Sequence, residues 1–144
     1  MQDDGGTANG GVDTSASANF DINVTAVNDA PSFTTGADQT VLEDAGAQTV
    51  NGWATSVSAG PADESGQVLT FNITGNTNAA LFAAGPAVDA SGNLTYTPAA
   101  DANGTATITL TLSDDGGTAD GGADTSAGST FDINITAVND QPSF

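Results

Sequence analysis

The groups in this chain that could do chemistry are carboxylates, amides and hydroxyls: 18 Asp and Glu residues stand among 144, with no Lys, Arg, His or Cys. That inventory excludes whole classes of function. A chain without a basic side chain cannot neutralise phosphate, so nucleic acid and insertion into or binding to an anionic membrane are not expected. Without His or Cys there are no ligands for the usual Zn, Cu, haem or Fe–S sites, and a serine nucleophile has no imidazole base. Oxygen ligands do suit a hard cation. Calcium accepts six to eight oxygens in a tolerant geometry, which fits Asp, Asn and backbone carbonyls clustered on loops. The competing reading is a set of solvated acidic loops that serve solubility. The only two glutamates, Glu43 and Glu64, could be cast as the acid and base of a glycosidase. Asp-rich loops surround both, and an enzyme is not expected.

The elements that must position these groups repeat along the chain. Residues 3–33, DDGGTANGGVDTSASANFDINVTAVNDAPSF, return at 114–144 as DDGGTADGGADTSAGSTFDINITAVNDQPSF. The offset is a constant 111 positions, and 24 of the 31 aligned residues are identical. A period of that length is a whole domain. Residues 1–30 therefore read as the last strand and linker of a preceding repeat, and residues 31–144 as one complete repeat with its own C-terminal linker. The parent is expected to be a tandem array, with neighbouring repeats of the same chain as partners.

Period-2 alternation dominates the complete repeat. In TATITLTL, Ala106, Ile108, Leu110 and Leu112 share one face. In FDINITA, Phe131, Ile133, Ile135 and Ala137 point one way and Asp132, Asn134 and Thr136 the other. VLTFNI sets Leu69, Phe71 and Ile73 together, and NLTYT sets Leu94 with Tyr96. QTVLE and TVNGWATSV are further strands, the second interrupted at Asn51-Gly52. A single helical turn is expected around 78–83. About seven short strands punctuated by Gly, Asn, Asp and Pro predict an all-β, immunoglobulin-like antiparallel β-sandwich. Trp53 and Tyr96 lie inside alternating strands, so a core role is expected ahead of a sugar-stacking platform. The segment 114–126 reads as a flexible hairpin loop. FDINVTAV at 20–27 carries the alternation of FDINITAV at 131–138, and is expected to fray or to pair at a sheet edge, including that of a neighbouring molecule.

Several of these segments occur in an order that resembles a known family. ITAVNDQPSF, with VTAVNDAPSF at 24–33, resembles the linker that closes each cadherin domain, an Asn-Asp pair before Pro and an aromatic residue. LTLSDDGG resembles the end of the cadherin F strand, and VSAGPADES followed by VLTFNI its acidic B–C connection and C strand. VLED at 41–44 stands where that family carries its N-terminal glutamate. The chain is most similar to the cadherin-like repeats of large bacterial surface proteins and adhesins.

That resemblance implies Ca2+ between successive domains. The junction before the repeat would use Asn28 and Asp29 of the linker with Asp63, Glu64 and Asp114. The junction after it would use Glu43, Asn139 and Asp140, with Asp101, and Asn103 beside it, near a further acidic motif of the family. The chain departs from the family pattern at Ala26 and Ala137, at Ala30 and Gln141, and at TPAADANG, which replaces an Asp-Arg-Glu motif. One or two ions per junction are therefore expected in place of three. The implied function is a calcium-binding structural extender of an extracellular, secreted or cell-surface adhesin. The alternative is a carbohydrate- or protein-binding module, recognising a polysaccharide or a like domain through its faces or loops.

Overall fold

Alternation decides the two longest strands of the computed structural model, which describes residues 1–142; Ser143 and Phe144, the end of the expected C-terminal linker, lie outside the described residues. In β8 (Gly104–Ser113) the side chains of Ala106, Ile108, Leu110 and Leu112 are fully buried, and in β9 (Ser129–Thr136) those of Phe131, Ile133 and Ile135. The intervening threonines and Asp132 and Asn134 face outward, so one face of this pair is apolar and must be covered. Ala137 does not continue the buried face: it lies beyond the end of β9 and is exposed where the chain turns into the linker.

Seven further strands complete the architecture: β1 (Ser32–Thr34), β2 (Gln39–Leu42), β3 (Gln48–Val50), β4 (Thr55–Ser58), β5 (Thr70–Asn76), β6 (Phe82–Val88) and β7 (Leu94–Pro98). One sheet has the order β2-β9-β8-β5, the second β3-β7-β6, and β1 pairs with β4 in a short ribbon. The core between them joins Ile108, Leu110, Ile133 and Ile135 to Trp53, Val88, Leu94 and Tyr96. This is an immunoglobulin-like β-sandwich. The nine strands among the described residues exceed the expected seven because TVNGWATSV is broken into β3 and β4 by the turn at Asn51-Gly52, and because β1 and β6 are strands that alternation does not announce. β1 passes into β2 through Gly36. A Cβ at Gly36 would collide with the Trp53 carbonyl and indole, so only glycine allows that passage.

One pairing is not antiparallel: β2 runs parallel to β9, from Gln39 opposite Ile133 to Leu42 opposite Thr136. The chain crosses from the β1–β4 ribbon to the other sheet without reversing, and so arrives beside β9 running the same way. Two strands carry no clear alternation in the sequence. β1 is three residues long, and β6 reads FAAGPAV. Pro86 has no N–H to donate, which is tolerated because β6 is an edge strand with irregular register against β7. The expected helical turn is present as a 3₁₀ turn at Ala79–Leu81.

The repeated glycine-rich segment folds alike in both copies. In the second, Asp114 N donates to Asp124 O (3.0 Å) and Gly122 N to Ala119 O (2.9 Å). In the first, Asp3 N donates to Asp13 O (2.8 Å) and Gly11 N to Ala8 O (3.2 Å). Asn9 and Asp120 occupy the same left-handed position, each at φ 56°. The hairpin connection between β8 and β9 is thus a hydrogen-bonded turn specified by its own residues. Residues 20–27, by contrast, have no strand partner among the described residues.

Candidate metal centres at the two poles

The linker before the sandwich is seated on the hairpin turn that follows β8. Asn28 Nδ2 donates to Asp114 Oδ1 (3.0 Å) and to Ala123 O (2.7 Å), while Asn28 Oδ1 accepts from Gln67 Nε2 (2.6 Å). The Asn28 carbonyl accepts from Ala123 N (2.9 Å). Glycine makes room for this: a Cβ on Gly116 would collide with both the Asn28 and Gln67 amides. Gly116→Ala is therefore expected to expel Asn28 from its seat, at about 1–3 kcal/mol for the unmade hydrogen bonds. Amide hydrogen exchange checks this, with Ala123 and Asp29 losing protection while the amides of β8 and β9 keep theirs.

One residue further, Asp29 N donates to Glu64 Oε1 (2.8 Å). Glu64 is buried at the end of the 3₁₀ turn Ala62–Glu64. Three oxygens of this pole are buried with no hydrogen-bond partner: Glu64 Oε2, Gln67 Oε1 and Asp114 Oδ2. Each is an acceptor that water or a cation can satisfy, and the chain has no Lys, Arg or His to place a positive charge beside them. Asp63 is exposed beside them, on a cleft of about 220 Å³ that Asn28, Glu64, Gln67 and Gly116 also line.

At the other end of β8 the second glutamate behaves similarly. Glu43 is buried, its N–H donates to Thr136 O (3.1 Å), and its Oε1 accepts from Val138 N (2.7 Å). So each glutamate holds the backbone of one linker. Asp140 is held above the ordinary carboxylate value, first by loss of hydration, then by the charges of Asp44, Asp101 and Glu43, and by a side-chain hydrogen bond that its protonated form donates to Asp101. Asp101 itself sits in the left-handed region at φ 58°.

The structure thus brings Asn28, Asp29, Glu64 and Asp114 together at one pole with Asp63 on the same cleft, and Glu43, Asp101 and Asp140 at the other. Among the described residues Asn139 donates only to the neighbouring Asp140 carbonyl (3.3 Å), and both it and Asn103 are exposed. Among the described residues no three carboxylates converge into a ready-made cation cage; at the first pole amide oxygens stand between them. Gln67 and Asp44 belong to these poles and were not among the residues expected. Adjacency to Glu43 was a usable signal for Asp44, whereas nothing in the residues around Gln67 distinguishes it.

The geometry removes two other chemistries. Trp53 and Tyr96 are buried, so they offer no stacking platform. Glu43 and Glu64 sit at opposite ends of the ten-residue β8, about 30 Å apart at strand rise, far beyond the spacing of a glycosidase pair.

A family model described as "Bacterial Ig domain" matches residues 28–126. A search of curated proteins finds no match. Domains of this type are structural and non-enzymatic, and typically occur as modules of surface proteins. No helix among the described residues is long and apolar enough to cross a membrane. The matched span opens on Asn28, the residue seated at the first pole, and closes just before β9, which the sheet nonetheless requires. With more than half its length matched and the sandwich in place, the chain belongs to the bacterial Ig domain family.

Proposed function

We propose that this domain is a calcium-binding repeat of a secreted or cell-surface bacterial adhesin, with a cadherin-like role: an extender whose junctions with neighbouring repeats are stiffened by the ion. The observation that carries the reading is the set of buried, unpartnered oxygens of Glu64, Gln67 and Asp114 in a chain with no cationic side chain. At the first pole Glu64, Asp114 and Gln67, with Asp29 and Asp63 beside them, would hold the ion. At the second, Glu43, Asp44, Asp101 and Asp140 would do so, with Asn139 adjacent. A divalent cation bound there supplies the positive charge these oxygens lack. The chain's own part is to fix the linkers: Glu64 grips Asp29 N, Glu43 grips Val138 N, and Asn28 is locked into the turn. With the carboxylates neutralised, the linkers hold one orientation and successive repeats form a stiff rod. Trp53 and Tyr96, being buried, offer a polysaccharide no stacking surface.

Thermal unfolding after exhaustive chelation, then with millimolar calcium or magnesium, tests the proposal. A calcium-specific rise in midpoint supports it; equal responses to the two ions, or none, would leave acidic loops that serve solubility alone.

The second pole adds a pH dependence. Because the folded state holds the Asp140 value above its unfolded value, Asp140 binds its proton more tightly when folded. Without calcium, its contribution to stability is therefore greatest below the ordinary carboxylate value and falls as pH rises through the raised one. Calcium binding requires the ionised form, so calcium is expected to stabilise progressively more as pH climbs through the same window. Asp140→Asn should flatten both slopes, as read from midpoints across pH with and without the ion.

A further inference from the structure

We propose that Asn103 is an acceptor for an N-linked glycan, on the loop that leads from β7 into β8. Asn-X-Thr triplets stand at Asn72, Asn93, Asn103 and Asn134 of the sandwich, and at Asn23 ahead of it. Such a triplet is an acceptor only where it lies on an accessible surface loop. The amide nitrogen is a poor nucleophile while conjugated with its carbonyl, so a transferase has to bend the triplet into its groove and twist the amide. A segment held by a ladder or by its own side-chain bonds does not yield to that.

Three of the triplets are held. Asn134 lies in β9 between Thr40 of β2 and Thr105 of β8, and its Oδ1 accepts from Thr105 Oγ1 (3.1 Å). Asn72 is opposite Thr111 within β5, and its Nδ2 donates to Ser113 Oγ (3.0 Å) and Thr70 O (3.3 Å). Asn93 ties two turns together: its Nδ2 donates to Asp89 Oδ2 (2.9 Å), and its Oδ1 accepts from Gly52 N (2.9 Å).

Asn103 differs from all three. It is exposed and outside any strand, and among the described residues nothing bonds its amide. Two residues earlier Asp101 turns the chain at φ 58°, and directly after it Gly104 stands at φ 141°, where an added Cβ would meet nothing nearer than 3.8 Å. The triplet already sits on a bend with open space at its centre. Thr105 is exposed, Gly104 opposite Ile135 is the last rung of the β8–β9 ladder, and β5 reaches only as far as Ile108. Gly104 and Thr105 can therefore lift without uncovering the core, which begins at Ala106. The glycan donor is a polyprenyl-pyrophosphate oligosaccharide. Asn103 Nδ2 bonds to C1 of its first sugar as the C1–O bond breaks; the pyrophosphate leaves with the electron pair, and the amide proton passes to a base of the transferase.

The test incubates the folded, full-length chain with a bacterial oligosaccharyltransferase and a polyprenyl-pyrophosphate oligosaccharide, and follows occupancy by peptide mass mapping. Asn134 is the matched comparison, since Asp132 precedes it by two residues as Asp101 precedes Asn103. Asn103 is expected to fill at least about ten times faster than Asn72, Asn93 or Asn134, each of which waits for local opening. Asn23, on a segment without a strand partner among the described residues, should fill as well and reports an active enzyme. Thr105→Ala should leave Asn103 bare and Thr105→Ser should restore it, with circular dichroism unchanged in both. The proposal is overturned if Asn103 stays bare, if it fills no faster than Asn134, or if Thr105→Ala is modified like the parent chain.

Discussion

Glu64→Gln is expected to remove most of the calcium-dependent stabilisation of this domain while leaving the calcium-free protein as stable as before, or more so. The glutamine keeps the shape and an oxygen to accept from Asp29 N, the bond that Glu64 Oε1 makes at 2.8 Å. It replaces the other, unpartnered carboxylate oxygen with an N–H₂ that can donate to the acceptors of that pole. Repulsion and orphaned oxygen disappear together, and so does the charge that would draw the ion. In the unaltered protein, dissociation constants of about 0.1–1 mM, ordinary for extracellular calcium modules, imply about 1.4–2.7 kcal/mol of stabilisation at roughly 10 mM calcium. That is a midpoint rise of roughly 5–15 °C in a domain of this size. Calorimetry of the two proteins side by side decides: midpoints that climb together with calcium would place the ion elsewhere.

Trp53→Ala should have the largest effect on stability, about 3–5 kcal/mol, a third or more of what a domain of this size has in hand. The indole does two things. It packs on Phe131 with ring centroids 4.3 Å apart, and its Nε1 donates to Ala37 O at 2.9 Å, pinning the passage between β1 and β2 across the core. Trp53→Phe separates these, since it keeps much of the packing and loses the hydrogen bond, for which about 1 kcal/mol is expected before any cavity cost. Urea unfolding gives both values. A loss below about 1 kcal/mol for Trp53→Ala would mean that the passage is held by other contacts. As the single tryptophan, Trp53 also reports its own burial through blue-shifted emission shielded from acrylamide.

Much of the sandwich was legible because alternation is a direct imprint of burial. Ile108 and Leu110 in β8, and Ile133 in β9, sit where period 2 places them. β6 escaped notice because its inward positions include Pro86 and its outward ones are alanine and glycine, which leaves no polar contrast to read. The parallel β2–β9 pair was also hidden: alternation assigns faces, while the direction of pairing depends on whether the chain reverses as it crosses between sheets. The candidate poles were less legible still. Asn28, Asp29, Glu64 and Asp114 were singled out through the order of short segments, since three connections distant in sequence have to meet before they share anything. Gln67 could not have been singled out, because only the 3₁₀ turn at Ala62–Glu64 carries it to Asn28.

The parallel pair also has a mechanical meaning. The linkers leave from opposite ends of the sandwich, one at Asp29 and the other at Val138, and β2 and β9 lie side by side between them. Tension along the chain would slide these two strands lengthwise past each other, loading all of their ladder bonds at once; a hairpin pulled at its open end gives way one bond at a time. Shear loading of this kind is expected to give a higher unfolding force than unzipping the same number of bonds. If the domain yields, a span of 111 residues pays out more than about 300 Å of slack.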